Sequence, residues 1–479
     1  MNIETTATHL KKEILIRLVK AFFSEDFESG ARLIPFDMRP KGSEVTFRCC
    51  IHKERAILKD RAIAGLGFLI EEDDERKSLR DYAREACERK KPLEIPLTVL
   101  SEACKGCPSN RVYVTDLCQG CVARPCVSTC KFSAISIVNG RSVIDNAKCK
   151  HCKMCIQSCP YHAIAKISVP CEDSCPVGAI FKNGKGAATI DFNKCIACGK
   201  CVSACPFGAI HEVSQIIDIL THIKKGHKTV AMIAPSIVGQ FPGNVYQLKA
   251  AIKKCGFADV VEVAEGADVT TRNEAREFEE RMSEKAPFMT TSCCAAYNNL
   301  VEKHMKEIKP YVSNTKTPLY YIAEKVKKQD PSAVTVFISP CVAKRTEATR
   351  DGNIDYVMNF EELGALFIGR NIEVMSEGEE KFAVESSKQG RKFGISSGVA
   401  QAVSALAKDV KPHYIDGLTK ESIRELSQYA KSGSCPGCNL IEVMGCKGGC
   451  VGGNAVINRN KSATQTLSAF ADGSGQIKE

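Results

Sequence analysis

The sequence predicts a multidomain chain of mixed α+β and α/β class: a helical N-terminal segment, two small cysteine-rich units and a two-lobed α/β domain. Three observations predict it. Helical periodicity alone runs through residues 1 to about 98; sixteen cysteines crowd between Cys104 and Cys205; and from about 229 onward short apolar runs alternate with helical patterns. A chain of 479 residues exceeds what one core holds, so several domains are expected. The boundaries drawn are 1–98, 99–165, 166–218, 219–460 and a polar tail, 461–479.

In the first segment Leu10, Ile14, Leu15, Leu18, Val19 and Phe22 recur at helical spacing, and 76–90 reads as a charged helix closed by Pro92. The stretch 45–57 carries Cys49 and Cys50 at a strand-to-helix junction. Adjacent cysteines do not readily share one ion, so these are read as structural. Nothing in the segment points to a chemistry, and it is expected to be a separate domain with a solvated charged face.

The cysteine-rich region is an internal repeat offset by about 45 residues. The first unit reads PCVSTCKFSAI (125–135) followed by CKHCKMCIQSCPYHAI (149–164). The second reads PCEDSCPVGAI (170–180) followed by CIACGKCVSACPFGAI (195–210). Each second half is the bacterial ferredoxin run Cys-x2-Cys-x2-Cys-x3-Cys-Pro, whose last cysteine ligates the other cube of a pair. Crossed ligation is therefore expected, with Cys149, Cys152 and Cys155 completed by Cys130, and Cys195, Cys198 and Cys201 completed by Cys175. Eight cysteines remain. Proximity in sequence groups Cys118 and Cys121 with Cys126 and Cys159, and Cys104 and Cys107 with Cys171 and Cys205, the swapped pairing being the alternative. About four accessory 4Fe-4S clusters result. His151 lies inside a ligand run whose cysteines suffice, so it is read as a residue tuning a cluster.

Beyond Cys205 the pattern predicts strands at 229–237, 259–265, 335–340, 355–360, 393–398 and 440–444, with helices at 244–255, 268–284, 399–408 and 419–430. The tail ADGSGQIKE is expected to be disordered. Cys255 and Cys87 fall in helical patterns as core residues. Cys435 and Cys438, in SCPGCN, form a Cys-x2-Cys that suits thiol chemistry or no role equally.

Three separated motifs organise the C-terminal half: TSCCAAY at 291–297, SPCVAKRTEA at 339–348 and EVMGCKGGCVGG at 442–453. Together they offer Cys294, Cys341, Cys446 and Cys450, four thiolates from three distant loops, as one cube held between two lobes requires. Zinc sites come as local pairs, which Cys294 and Cys341 do not supply. Cys293 is left over. A second thiol beside a metal site, with nothing to ligate, suggests a proton donor.

These loops closely resemble the signature loops of the iron-iron hydrogenases. The resemblance covers about 230–455 and implies an H-cluster, a 4Fe-4S cube linked to a two-iron subsite bearing CO, CN and azadithiolate. It implies reversible reduction of protons to H2, with Cys450 bridging to the subsite and Cys293 as the proton-transfer thiol. In NEARE, Glu274 and Glu277 match two relay glutamates, three apart on one helix face. Thr317 stands where the family has a relay serine. Lys344 matches the lysine donating to a cyanide, Met444 a methionine packed on the subsite, and Ala234, Pro235 and Ser236 the loop lying against it. Burial is expected to raise Glu277 toward the thiol's range.

Residues Ala295, Ala296, Tyr297, Ser339 and Lys447 depart from the prototypical motifs without changing the ligand count, and mark a divergent branch resembling group B. Such neighbours tune potential and proton access. Two rival readings are a hydrogenase-like cytosolic iron-sulfur assembly factor and a slow sensory hydrogenase. The first lacks the extra thiol and glutamate pair by the same resemblance; the second typically carries a C-terminal sensing module and often loses the thiol.

Twenty-seven cysteines with no N-terminal signal region and no stretch of 18 apolar residues argue for metal in a reducing cytoplasm. The formal net charge of +10 and the absence of tryptophan give no cause to expect nucleic acid or membrane. An acidic ferredoxin or similar electron carrier suits such a surface, and the resemblance adds hydrogenase maturation proteins as partners.

Overall fold

The computed structural model describes residues 5–43, 47–104, 107, 111–458 and 461–478, with the side chain of Arg111 left out. Residues 45 and 46 of the strand-to-helix stretch lie outside these. The N-terminal segment forms helices Thr6–Phe22, Phe27–Met38, Ile51–Gly65 and Leu79–Glu88. Its expected independence does not hold. Ile14, Leu18, Val19 and Phe22 share one hydrophobic core with Ile233, Val336, Phe360 and Leu366 of the C-terminal half. Gly369 explains how closely the first helix docks: a Cβ there would lie 2.5 Å from Val19 Cγ1. A belt of buried ion pairs seals the joint, Lys11 to Glu361 at 2.6 Å and Arg345 to Glu362 at 2.9 Å.

The cysteine-rich region is two units, but their boundary differs from the one drawn at 165. Leu97–Val99 pairs antiparallel with Ile210–Glu212, so the chain before the repeat closes the second unit. The first unit is inserted between Arg111 and Ile167, two strands that pair with each other, with the hairpin Ile135–Val138/Arg141–Ile144 between them. The second unit has its own hairpin, Ile180–Lys182 with Ala188–Ile190. In each run a residue in the left-handed region, Lys153 (φ 68°) or Gly199 (φ 76°), precedes the short helix that carries the later cysteines.

The C-terminal half has two parallel sheets. One orders its strands Asp259–Glu262, Thr229–Ile233, Val334–Ile338 and Tyr356–Met358. The other orders Met289–Thr290, Leu440–Met444 and Pro412–Asp416. All five residues of Thr229–Ile233, Val334–Ile338 and Leu440–Met444 are buried, as parallel strands covered on both faces require. The strand expected at 393–398 is instead the turn between helices Lys388–Lys392 and Gly398–Ser404, with Ser397 at φ 76°. The strand Pro412–Asp416 replaces it in the sheet; its half-exposed, weakly apolar sequence hid it.

The tail also departs from expectation. Lys461–Asp472 is a helix with Ala463, Leu467 and Ala471 buried, and the residues after it are anchored, Lys388 N donating to Gly475 O at 2.7 Å. Ala463, Leu467 and Ala471 lie at i, i+4 and i+8, an apolar stripe that the polar composition masked. Among the described residues no helix is long and apolar enough to cross a membrane.

Candidate active site and metal centres

Each of the motif loops leaves the C-terminal end of a parallel strand, where open α/β sheets form their crevices. Met289–Thr290 leads to Cys293 and Cys294, Val334–Ile338 to Cys341, Leu440–Met444 to Cys446 and Cys450, and Thr229–Ile233 to Ala234, Pro235 and Ser236. Two lobes thus present their loops to one gap. The loops meet closely at Gly445, where a Cβ would sit 3.2 Å from Cys294 Sγ, which accepts from Gly445 N at 3.3 Å.

Burial, and then the nearness of Cys341, Cys294 and Cys450, pushes the Cys446 thiol well up. Cys450 is pushed to about 12 by burial and by Cys341 and Cys294, and Cys341 to about 11 by burial and Cys294. Four thiols that each oppose the others' ionisation ionise together only around a cationic centre. Among the described residues no three Cys, His, Asp or Glu converge on a single-ion site; the larger span of a cube suits the four thiols. Two buried orphans border the gap, Ser236 Oγ and Glu274 Oε2, neither with a hydrogen-bond partner in the protein. The donor set and these orphans fit a cube carrying a further polar group.

Cys293 packs against an apolar wall of Ala267, Phe393, Val399, Ala402 and Met444. Burial first, then Glu274, pushes its thiol well above the usual range. Glu274, fully buried, is itself pushed up to about 7 by burial against donation from Ser292. Ser292 N and Oγ donate to Glu274 Oε1 at 3.2 and 3.3 Å, and Ser292 Oγ reaches Thr315 O at 2.7 Å. The helix Val263–Ser283 sets Glu277 one turn on. There Ser313 Oγ donates to Glu277 Oε2 at 2.6 Å, Asn314 N to Oε1 at 2.9 Å, and Arg281 forms an ion pair at 2.6 Å.

Two expectations are corrected here. Glu277 is not raised: burial pushes it up, but the Asn314, Ser313 and Arg281 contacts outweigh burial and hold it below the usual range. The raised carboxyl is Glu274. Thr317 does not join the glutamates, because its hydroxyl caps the helix Pro318–Gln329 and donates to Glu347 at 2.6 Å. The hydroxyl between the glutamates is that of Ser313, which also reaches Glu274. It escaped the sequence reading because nothing local marks a serine in a loop; the signal was its distance from the next proline, which Thr317 satisfied better. Lys344 Nζ binds Glu347 at 2.6 Å and lies 3.5 Å from Cys293 O, so Glu347 holds both Lys344 and Thr317.

The other cysteines gather in four groups. Cys118, Cys121, Cys126 and Cys159 line one cavity, and Cys130, Cys149, Cys152 and Cys155 another. Cys104 and Cys205 both act on Cys171, and Cys107 feels Cys205 and Cys104. Cys201 feels Cys198, Cys195 and Cys175. The second unit docks on the C-terminal domain through Asn299 Nδ2 to Ile196 O (3.1 Å) and Asn454 Nδ2 to Cys198 O (2.5 Å), and Cys198 acts on Cys446. Cys435 and Cys438 lie side by side, Cα–Cα 5.4 Å, ahead of the strand Leu440–Met444.

Clustered thiols on a parallel α/β crevice, wired to cysteine-rich units, define an iron-sulfur oxidoreductase. Residues 227–454 match the family model "Iron only hydrogenase large subunit, C-terminal domain", and 142–165 and 188–211 match "4Fe-4S binding domain". The C-terminal half of the chain is thus similar to the iron-iron hydrogenases. The chain is 28% identical over 301 residues to the periplasmic [Fe] hydrogenase large subunit of Nitratidesulfovibrio vulgaris, covering 50% of this chain and 71% of that one. It is 30% identical over 259 residues to iron hydrogenase 1 of Clostridium pasteurianum, covering 44% of this chain and 45% of that one. The chain thus spans less than half of the second relative's length. The solved apo [FeFe]-hydrogenase HydA1 of Chlamydomonas reinhardtii overlays 55% of this chain and 90% of its own at 20% identity, with a TM-score of 0.45.

Proposed function

We propose that this protein interconverts protons and H2 at an H-cluster held by Cys294, Cys341, Cys446 and Cys450, with four accessory cubes held by the four groups above. The observation that carries this is Cys293, a partly buried thiol beside a ligand set, followed by Glu274, Ser292, Ser313, Glu277 and Arg281 in a line toward the surface. When bound, the two-iron group supplies the site where electrons and protons combine. The protein does the rest. Cys293 holds a proton at Sγ at the cluster end; Glu274 Oε2, free of other partners, exchanges with it; and Ser313 Oγ passes the proton to Glu277. Matched proton affinities favour such transfer, and the raised Glu274 is the member nearest the thiol. Lys344, fixed by Glu347, puts a positive charge beside Cys293 and Cys341. Met444 and the loop 234–236 wall the gap from water.

Accessory cubes held by the four cysteine groups would supply one-electron redox chemistry between a ferredoxin-like carrier and the site, and the Cys198 group, beside Cys446, would hold the one nearest to it. Maturation proteins build the two-iron group, and Ala295, Ala296, Tyr297, Ser339 and Lys447 place the chain in a group B-like branch. An infrared spectrum of matured protein tests the assignment. CO and CN bands together with H2 evolution are expected; matured protein without those bands is the assembly factor, and the hydrogenase reading falls.

A further inference from the structure

The chain's positive charge is not spread evenly. Residues 111–167 hold eight Lys or Arg against two Asp, a net +6 out of the formal +10 of the whole chain, whereas residues 168–213 hold four of each sign. The excess therefore belongs to the first cysteine-rich unit. The other unit is covered: Asn299, Lys303 and Asn454 close over the Cys195 group, and Arg48 and Lys53 reach Ala103 and Glu102 beside Cys104.

In the first unit the cavity holding Cys130, Cys149, Cys152 and Cys155 is also lined by Phe132, Lys150, Lys153 and Met154. Cys152 is exposed, unlike the other fifteen cysteines of the repeat. Phe132 and Met154, on the lining of that cavity beside Cys152, are 44% and 43% exposed. Lys131, Lys150 and Lys153 are exposed, and among the described residues no ion pair to them is seen. An apolar centre with an unpaired basic rim around a solvent-open metal group has the anatomy of a transient protein interface.

Resting on the proposed activity, we infer that this face, centred on Phe132, Cys152 and Met154 and ringed by Lys131, Lys150 and Lys153, docks a small acidic one-electron carrier protein. Each productive encounter moves one electron from the reduced carrier to the oxidised Cys152 cube, the carrier losing what the cube gains, with no proton transferred; hydrogen uptake runs it in reverse. The lysines steer the carrier and set its orientation, which makes the encounter rate fall with salt. The two apolar side chains exclude water at the contact.

The test uses the full, matured protein and compares two electron donors, reduced methyl viologen and a reduced acidic bacterial ferredoxin. Lys150→Glu/Lys153→Glu is expected to lower the ratio of ferredoxin-linked to viologen-linked H2 evolution at least tenfold at low salt and to flatten its salt dependence. Lys131→Glu, which lies outside the Cys149–Cys159 run, repeats the measurement where the double variant loses iron. An unchanged ratio in a variant with full iron content overturns the docking face. So does equal efficiency with a basic carrier, or a wild-type dimer that the variant splits, which would assign the face to a second copy. Absence of viologen-linked activity in the matured wild type strikes instead at the hydrogenase reading.

Discussion

Cys293 and its neighbour Cys294 differ by one position and have different surroundings, because the backbone turns between them at the strand end. Cys294 Sγ meets Gly445 and the ligand set, while Cys293 faces the apolar wall and Glu274. Replacing Cys293 by Ala is expected to leave iron content unchanged and to lower turnover by about 10²–10⁴-fold, the range for removal of a positioned proton-transfer group. Iron analysis beside an H2 evolution assay checks it, and full activity would send the protons by another route. Ser313→Ala belongs to the same line: turnover should fall while Thr317→Ala, which removes a contact to Glu347, leaves the proton path whole. Glu274 also carries a pH signature. Its folded pKa, about 7, lies above the ordinary 4.5, so the stability it contributes is full below pH 4.5 and is lost as pH rises through 7. The loss is about 3 kcal/mol by linkage. Glu274→Gln should remove that slope from thermal unfolding between pH 5 and 7.5, and a slope equal to that of the wild type would contradict the burial of the charge.

The helix Val263–Ser283 is the element on which the proton path depends. It brings Glu274 and Glu277 to one face and is held against Pro318–Gln329 by an unusually close approach at Gly266, where a Cβ would lie 2.1 Å from Pro318 O. The contact is with backbone, so the neighbour cannot turn aside. Gly266→Ala is expected to destabilise by about 1–3 kcal/mol and to lower H2 evolution with normal iron loading, since displacing the helix opens the Glu274–Ser292 contact. Differential denaturation and activity on the same preparation would check both; wild-type stability would mean the helices separate freely. The period of this helix was readable beforehand, but its start at Val263, directly off the strand Asp259–Glu262, was not, because DVVEVAE continues a strand-like pattern across the junction.

Across the molecule, the cubes would form one line from the inserted first unit, through the second, to the gap between the lobes. Filling every group gives roughly 22 iron atoms per chain, sixteen of them in accessory cubes. Cys118→Ser/Cys121→Ser should remove about four and leave the spectrum of the catalytic centre intact. Loss of eight would mean that the two cubes of the first unit assemble only together. The N-terminal helices, which share their core with the catalytic lobe, make the protein one cooperative body around the second unit, with the first unit projecting from it.

The clustering of the cysteines was legible in the chain because metal chemistry demands cysteines at fixed local spacing, and the strands ahead of the three motifs because buried parallel strands demand unbroken apolar runs. Which hydroxyl lies between Glu274 and Glu277, which of those carboxyls is raised, and that residues 6–22 join the catalytic core were not. Each depends on groups far apart in sequence: Ser313 on a loop 36 residues from Glu277, Arg281 and Asn314 supplying the charge and donor that lower Glu277, and Val19 meeting Gly369. Spacing along a chain records local chemistry. Proton affinity and packing arise from desolvation and through-space contact, and these exist only once the chain has closed on itself.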